Sequence, residues 1–273
     1  MDQFDYLIVG GGLAAASAVD GIRSRDDDGS ILLLSDESEP PYHRPPLSKE
    51  FLQHPQAGRD LLHVKPENWF EEEAGVTLRQ KQRVISLDPR ELGVTTAGGE
   101  VYRADRILLA TGGRPRTLAV SGSDLERVFT LRTVDDAEAI RAAAADEGTE
   151  EALLIGSGFI GMELAASLSE LGVRATIVEA RERVWPTMLP PRVSAFLQDT
   201  FEARDVRFRL GTTVSELRGD DGVRSALLDD GAEVACQLVV VGVGIIPNDE
   251  LAAQAGLGVK DGIVTDRYGE TSH

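Results

Sequence analysis

Two short apolar runs, each followed by glycines and then by helical spacing, stand out along the chain. The first run covers residues 5–9 and the second covers residues 152–155. After the second turn, apolar residues recur every three or four positions, which is the period of a helix that buries one face. The pattern predicts a strand, a glycine turn and a helix in each copy. The first glycines of the two copies, Gly10 and Gly156, lie 146 positions apart.

Each turn has the spacing of a dinucleotide-binding fingerprint. The first glycine permits a tight turn, and the second lets the backbone approach a pyrophosphate. The third position must be small so that the helix can lie against the strand. Free N–H groups at the helix N-terminus then face the phosphates. The residues at these three positions are Gly10, Gly12 and Ala15 in the first copy, and Gly156, Gly158 and Gly161 in the second.

An acidic residue follows the second strand of each copy. Asp36 comes after one apolar run and Glu179 comes after the other. A carboxylate at this place accepts hydrogen bonds from ribose hydroxyls. Glu179 also stands where NADPH would carry its 2′-phosphate, so like-charge repulsion favours NADH. The neighbouring cations, Arg181 and Arg183, would weaken that preference if they face the site.

The rest of the chain predicts further strands around the two copies. The turn-rich residues 75–105 predict a small antiparallel excursion. Residues 106–109 predict a buried strand that ends in a glycine turn, and residues 238–244 repeat this ending. Residues 206–233 are again strand-rich, so the two halves of the chain share one layout.

Three connecting segments carry signals of their own. Residues 114–125 contain proline, glycine and serine with few large apolar residues, which predicts a linker. A helix is predicted over residues 135–145, with Asp135 as its N-cap. The prolines within residues 36–51 predict a stiff loop without helix as far as Leu47.

Composition places the chain among globular proteins, with 42% hydrophobic and 27% charged residues over 273 positions, a length that suits two domains. The formal net charge of −18 disfavours nucleic acid and anionic membranes as partners. No apolar run approaches the ~18–20 residues that cross a bilayer, and the N-terminus lacks the basic region of a signal peptide. We therefore expect a soluble, cytoplasmic protein. Its one cysteine, Cys236, excludes dithiol chemistry and is expected to be buried.

Together with the two glycine turns, three further motifs make the chain similar to the FAD- and NAD-dependent pyridine nucleotide-disulphide oxidoreductases. Within this superfamily it resembles the NADH-dependent ferredoxin reductases and their relatives similar to apoptosis-inducing factor. The most specific part of the resemblance is residues 44–49. The three motifs are Pro41-Tyr42-His43-Arg44-Pro45-Pro46-Leu47-Ser48-Lys49, Ala110-Thr111-Gly112 and Gly242-Val243-Gly244-Ile245-Ile246-Pro247-Asn248.

The resemblance implies an α/β fold with two Rossmann-like, three-layer ββα-type dinucleotide-binding domains, the NAD domain being inserted in the FAD domain. Residues 1–116 would form the first part of the FAD-binding domain, residues 117–243 the NAD(H)-binding domain, and residues 244–273 an incomplete return to the FAD-binding domain. The family continues into further FAD-binding and C-terminal segments. We therefore expect this chain to be truncated and to bind FAD weakly.

The resemblance also implies the residues of the two sites. Lys49 and Glu163 would form an ion pair close to the flavin N5, and Phe159 would lie where the nicotinamide stacks; these three are the expected catalytic residues. Asp36 and Glu179 would hold the two riboses, and no metal ligand is expected. The cofactor-binding residues expected from the turns and the resemblance are Gly10, Gly12, Leu13, Ala14, Ala15, Asp36, Arg44, Lys49, Val84, Ala110, Thr111, Gly112, Arg116, Gly156, Gly158, Phe159, Ile160, Gly161, Glu163, Glu179, Gly242, Val243 and Gly244.

The activity implied by the resemblance is hydride transfer from NADH to FAD, followed by single-electron transfer to a [2Fe-2S] ferredoxin-type protein. Two other interpretations stay open. One is an NADH-sensing interaction protein similar to apoptosis-inducing factor, and the other is a nucleotide-binding remnant without catalysis. The acidic charge slightly favours the sensing protein, since ferredoxins are themselves usually acidic.

Overall fold

The computed structural model describes residues 2–66 and 68–273, which contain both strands and helices. The strands are β1 (Asp2–Val9), β2 (Ile31–Leu34), β3 (Val76–Arg79), β4 (Val84–Asp88), β5 (Gly93–Thr96), β6 (Val101–Leu109), β7 (Gly113–Pro115), β8 (Val128–Phe129), β9 (Glu151–Ile155), β10 (Arg174–Glu179), β11 (Arg207–Leu210), β12 (Val214–Arg218), β13 (Ser225–Leu228), β14 (Glu233–Ala235), β15 (Leu238–Val241) and β16 (Ile245–Pro247). The α-helices are α1 (Leu13–Arg23), α2 (Glu50–Gln53), α3 (Val134–Ala144), α4 (Phe159–Glu170), α5 (Pro191–Glu202) and α6 (Glu250–Gln254).

Short helical turns of other kinds also occur. A 3₁₀-helix covers Pro45–Ser48, another covers Arg59–Leu62, and a π-helical turn covers Trp69–Glu73. The loop without helix was predicted to extend to Leu47, but the first of these helices begins two residues earlier, at Pro45. Proline is tolerated in the first turn of a helix because its missing N–H has no partner there in any case.

The chain forms two compact units. The first unit consists of Met1–His43, Arg59–Arg114 and Ile246–His273. The second consists of Arg44–Gly58 and Pro115–Ile245. The second unit is therefore inserted in the sequence of the first, and it also includes the segment that carries the Pro-Pro-Leu-Ser-Lys motif.

The first unit is built on a six-stranded sheet with the order β3-β2-β1-β6-β5-β4. Strands β3, β2, β1 and β6 are parallel, and β5 and β4 extend them in antiparallel fashion. The antiparallel excursion predicted over residues 75–105 is thus only partly right, because β3 joins the parallel sheet. Ile8 packs beneath α1, whereas its neighbour Leu7 faces the cluster that contains Val94.

The second unit has a five-stranded parallel sheet with the order β11-β10-β9-β15-β8. Helix α4 packs on one side of β9 and β10, and its buried residues include Leu164 and Leu168. The antiparallel meander β12-β13-β14 forms a further layer, in which Leu217 and Leu228 share a core cluster with Leu153 of β9. The three layers and the 3-2-1-4 strand order are those of a Rossmann-like dinucleotide-binding fold, as the resemblance implies.

Helix α3 begins differently from the prediction. Thr133, and not Asp135, is its N-cap, and the Thr133 hydroxyl accepts a hydrogen bond from the Asp136 backbone N–H. The Asp136 carboxylate in turn accepts one from the Thr133 backbone N–H, at 2.8 Å. This reciprocal arrangement is a capping box, and it gives hydrogen-bond acceptors to two backbone N–H groups, those of Thr133 and Asp136. A single side-chain cap at Asp135 would satisfy fewer of the free N–H groups.

Two other segments also differ from what their composition suggests. The segment predicted as a linker lies within the second unit, where Leu118, Val120 and Leu125 pack against the core cluster beneath the parallel sheet. Strand β6, predicted to be buried, alternates between covered and open positions, and Leu108 is 41% exposed. No helix in the described part of the chain is both long and apolar enough to span a bilayer.

Cys236 is fully buried in the second unit's core, as predicted. Burial raises the pKa of this thiol to about 12. Because the thiolate is the reactive form, the folded chain should not react with a thiol reagent such as DTNB at pH 8. We expect one equivalent of rapid labelling only after unfolding in denaturant, measured by absorbance. Rapid stoichiometric labelling of the folded chain would contradict the buried position.

Candidate dinucleotide-binding sites

The glycine turn of the second unit joins β9 to α4. Gly156 has φ +102°, a backbone conformation that side chains rarely adopt, and a Cβ there would lie 2.7 Å from the Gly242 carbonyl oxygen. A Cβ at Gly161 would lie 1.9 Å from the Gly156 carbonyl oxygen. Both glycines are therefore required by the packing of the chain itself.

The packing of the chain does not require glycine at the middle position of this turn, Gly158. Gly158 is the N-cap of α4, with φ −74° and ψ −170°, values that any residue can adopt. The nearest atom to a Cβ at this position would be the Gly242 carbonyl oxygen, 3.8 Å away. No side chain caps the helix at this point. The open position and the uncapped N–H groups fit a diphosphate that comes close to the backbone.

The first unit repeats this arrangement between β1 and α1. Gly10 has φ +124°, and a Cβ there would lie 2.1 Å from the Ala110 carbonyl oxygen. Gly12 has φ −96°, caps α1 without a side-chain bond, and has no atom within 4 Å of a Cβ position. Ala15 is fully buried under the turn. The residues thus fit a second dinucleotide, and its diphosphate would approach Gly12.

A cleft of about 600 Å³ opens at the glycine turn of the second unit. This volume is within the range of small-molecule sites. Eight of the predicted cofactor-binding residues line it: Gly156, Gly158, Phe159, Ile160, Glu179, Gly242, Val243 and Gly244. Gly161 and Glu163 do not line the cleft. The prediction from sequence missed other lining residues, including Trp185, Met188, Thr212 and Thr213.

Glu179 is held in a fixed position at the end of β10. Its Oε2 atom accepts hydrogen bonds from the backbone N–H of Ser157, at 2.9 Å, and from the Ser157 hydroxyl, at 2.8 Å. Its Oε1 atom accepts one from the Arg181 backbone N–H, at 3.0 Å. An ionised carboxylate has about four acceptor positions, so it keeps capacity for ribose hydroxyls.

The two arginines that follow Glu179 have different positions. Arg181 lines the cleft. The Arg183 guanidinium donates hydrogen bonds to the Leu189 carbonyl at 2.6 Å, the Pro186 carbonyl at 2.5 Å and the Ser194 hydroxyl at 2.8 Å. Arg183 is therefore engaged in its own loop and does not line the cleft, so only Arg181 of this pair is placed to offset the charge of Glu179.

Phe159 is the first residue of α4 and is 54% exposed in the cleft. Its ring lies against the indole of Trp185, with 5.1 Å between ring centroids and 48° between the planes. An exposed aromatic ring that lines a cleft can offer a face to a flat ligand ring. Its role in stacking with nicotinamide remains a prediction.

Lys49 and Glu163 form an ion pair within the second unit. The Lys49 Nζ atom lies 2.7 Å from Glu163 Oε2, which also accepts a hydrogen bond from the Ser48 hydroxyl at 2.6 Å. The Ser48 carbonyl accepts a bond from the Ser167 hydroxyl, so the end of the 3₁₀-helix Pro45–Ser48 is fastened to α4 by two hydrogen bonds. The pair is partly exposed and is expected to contribute less than about 1 kcal/mol to stability. Its proposed place beside a flavin remains a prediction.

A cleft of about 750 Å³ lies at the first unit's glycine turn. Of the predicted cofactor-binding residues, Gly10, Asp36, Val84 and Thr111 line it. Asp36 is exposed, whereas the next acid, Glu37, accepts a hydrogen bond from the Tyr42 hydroxyl. Asp36 is therefore the better-placed carboxylate for ribose. The prediction missed further lining residues, including Gln82, Arg83, Arg114, Asn248 and Glu250.

Asn248 holds the glycine turn that follows β6. Its side-chain amide donates to the Thr111 carbonyl at 2.9 Å, and its backbone N–H donates to the Gly112 carbonyl at 2.9 Å. The Thr111 hydroxyl donates to the Asn248 carbonyl at 2.6 Å. The sequence motif contained Asn248, but nothing in the pattern indicated that it fixes a turn so far away along the chain.

The remaining predicted residues, which include Gly12, Ala15, Ala110 and Gly112, lie outside the lining of the two clefts. Leu13 and Ala14 are exposed at the start of α1. Arg44 belongs to the second unit, where its guanidinium donates to the Arg132 carbonyl at 2.6 Å. Arg116 is exposed in the same unit, and its backbone N–H donates to the Gly244 carbonyl at 2.9 Å. In the described residues, no group of three or more His, Cys, Asp or Glu side chains is arranged to hold a metal ion.

The fold and both glycine turns agree with the comparison to known proteins. A family model described as pyridine nucleotide-disulphide oxidoreductase matches residues 4–273, and the chain belongs to this family. It is 36% identical to the 5,5'-dehydrodivanillate O-demethylase ferredoxin reductase subunit of Sphingobium sp., covering 100% of this chain and 66% of that protein. It is 34% identical to the rubredoxin-NAD(+) reductase of Pseudomonas putida, covering 97% of this chain and 68% of the relative.

A solved structure is similar to this chain over its whole length. The covalent complex of putidaredoxin reductase with putidaredoxin contains a chain that matches with a TM-score of 0.93 and 32% identity, covering 100% of this chain and 66% of that one. The present chain therefore spans about two thirds of the length of these relatives.

Proposed function

We propose that the protein is a flavoprotein oxidoreductase that binds FAD at the first unit's glycine turn and NADH at the second unit's. The observation that carries the proposal is the pair Gly12 and Gly158. Neither the backbone conformation nor the packing of the chain requires glycine at these two positions. Both residues lie at helix N-termini that no side chain caps. A diphosphate at each turn explains why a side chain is absent there.

When bound, the cofactors supply the redox chemistry: a hydride passes from NADH to FAD, and electrons leave singly. The contributions of the chain are binding and orientation. Glu179 would hold the ribose of NADH and disfavour a 2′-phosphate, and Asp36 would hold the ribose of FAD. Phe159 would give the nicotinamide a surface to stack on, and the Lys49–Glu163 pair would place charge near the flavin. Under this proposal the FAD domain comprises residues 1–116 and 244–273, and the NAD domain residues 117–243.

We further propose that the electron acceptor is a ferredoxin-type protein with a [2Fe-2S] cluster. The names of the relatives support an iron–sulfur protein as acceptor, since they include reductases of ferredoxin, rubredoxin and putidaredoxin. The [2Fe-2S] cluster itself is implied by the family resemblance. The net charge of −18 predicts that an acidic acceptor would bind better at higher salt, because repulsion between like charges is then screened. A cytoplasmic location is part of the same proposal.

Anaerobic addition of NADH to the FAD-loaded chain should bleach the yellow flavin absorbance. The expected result is full bleaching with one equivalent of NADH and slower bleaching with NADPH, followed by recovery of the colour when an oxidised [2Fe-2S] ferredoxin is added. Reduced flavin that persists in the presence of ferredoxin would favour the alternative NADH-sensing function. A flavin that stays oxidised with NADH would overturn the proposal.

A further inference from the structure

Trp185 adopts a backbone conformation that is unfavourable for a large side chain. Its φ is +45°, in the left-handed region that normally belongs to glycine or asparagine. Such a conformation persists only where the surrounding structure enforces it. Arg183 supplies that constraint, because its guanidinium binds the carbonyls of Pro186 and Leu189 on the far side of Trp185. Ser194 adds to it by donating a hydrogen bond to the Val184 carbonyl at 2.6 Å.

The indole held in this way has an unpaired donor. In the part of the chain that the structure describes, Trp185 Nε1 is the one buried side-chain nitrogen or oxygen atom that has no hydrogen-bond partner. A buried indole N–H normally finds an acceptor, because leaving it unpaired costs free energy. The same side chain lines the second unit's cleft and contacts the exposed ring of Phe159. A strained backbone and an unpaired donor therefore coincide on one residue at a ligand cleft.

We propose that Trp185 is a further nucleotide-binding residue, whose Nε1–H donates a hydrogen bond to an oxygen atom of NADH when the dinucleotide occupies the cleft. The inference rests on the proposed function, since it needs NADH in this cleft. Because Nε1 is buried, the indole must turn toward the cleft for this bond to form. The loop fastened by Arg183 keeps the Trp185 backbone in place, and the ligand supplies the missing acceptor. Phosphate, ribose and carboxamide oxygens of the dinucleotide share the required acceptor chemistry.

The first test compares Trp185→Phe with Trp69→Phe. Phenylalanine keeps an aromatic ring against Phe159 but removes the N–H donor. Trp69 belongs to the first unit, where Lys65 lies 4.3 Å from its ring, so it serves as the control for loss of an indole. Isothermal titration with NAD⁺, which cannot reduce a flavin, should show about 3- to 10-fold weaker binding for Trp185→Phe, the range expected for one lost hydrogen bond. The control should bind as the unaltered chain does.

Titrations with ADP-ribose and with nicotinamide mononucleotide locate the acceptor. Whichever fragment loses affinity for Trp185→Phe carries the oxygen that pairs with the indole. Equal affinity of Trp185→Phe and the unaltered chain for NAD⁺ and for both fragments would overturn the inference. In that case the proposed function would stand, because the unaltered chain would still bind NAD⁺. Failure of the unaltered chain to bind NAD⁺ or NADH would instead overturn the proposed function, and this inference with it.

A second measurement needs no substitution at Trp185. In a chain labelled with ¹⁵N-tryptophan, Trp69→Phe leaves a single indole N–H resonance. Saturation with NAD⁺ should move this Trp185 signal downfield and slow its exchange with water, as expected when a donor gains an acceptor. In the unaltered chain the Trp69 signal should stay in place. A Trp185 signal that does not move at saturating NAD⁺ would overturn the inference even if Trp185→Phe failed to fold.

Discussion

Replacing Gly158 with alanine is expected to weaken NADH binding about 5- to 150-fold, because an added methyl group in a filled site costs about 1–3 kcal/mol. The fold should be retained, since the backbone angles at Gly158 suit alanine and no atom of the chain lies closer than 3.8 Å to the new Cβ. NADH titration followed by nucleotide fluorescence measures the affinity, and a thermal melt measures the stability.

Gly161→Ala is the matched control, three residues along the same helix. Its Cβ would lie 1.9 Å from the Gly156 carbonyl oxygen, so this substitution should lower the melting temperature. Gly12→Ala is the second control: it should weaken FAD binding and leave the NADH affinity unchanged. The assignment would be wrong if Gly158→Ala bound NADH normally, or if it reduced stability as much as Gly161→Ala.

The sequence was most informative where the structure depends on local geometry. The glycine turns could be predicted because Gly10 and Gly156 need positive φ, and because Gly161 must lie against a carbonyl only five residues away. The acids Asp36 and Glu179 could be predicted for the same reason, since each follows the strand next to its glycine turn. All of these relations lie within one strand–turn–helix–strand unit.

Relations over long distances in the chain were not predictable in this way. Asn248 fixes the turn at Thr111 from 137 positions further on, and nothing in either segment indicates the pairing. The position of β3 in the parallel sheet likewise depends on its pairing with β2, whereas turn composition indicated only short strands nearby. The Lys49–Glu163 pair came from the family resemblance alone, because the two residues are 114 positions apart (163 minus 49).

Trp185 shows a further limit. A left-handed tryptophan has no signal in composition or periodicity, because the conformation is imposed by Arg183 and Ser194 from both ends of the loop. The sequence also suggested that Arg183 would soften the charge of Glu179. Its guanidinium binds two loop carbonyls and Ser194 of α5, and Arg183 does not line the cleft, so the structure indicates a structural role for it.

The preference for NADH over NADPH should depend mainly on Glu179. At an effective dielectric constant of ~20, two like charges about 5 Å apart repel by about 3 kcal/mol, which is a factor of about 150 in affinity. Because Glu179 is partly exposed and Arg181 lines the same cleft, we expect a smaller effect of about tenfold. Glu179→Gln should therefore narrow the gap between ADP-ribose and 2′-phospho-ADP-ribose binding by about tenfold.

The matched control for this prediction is Glu182→Gln, which removes the same charge from an exposed residue that does not line the cleft. It should leave the ratio of the two affinities unchanged, apart from a small effect that disappears at high salt. The Glu179→Gln effect should persist at high salt, because part of it comes from a lost acceptor for the ribose hydroxyls and not from long-range charge. If both variants changed the ratio equally, the preference would arise from the net charge of the surface. Glu179 would then have no specific role in selecting the coenzyme.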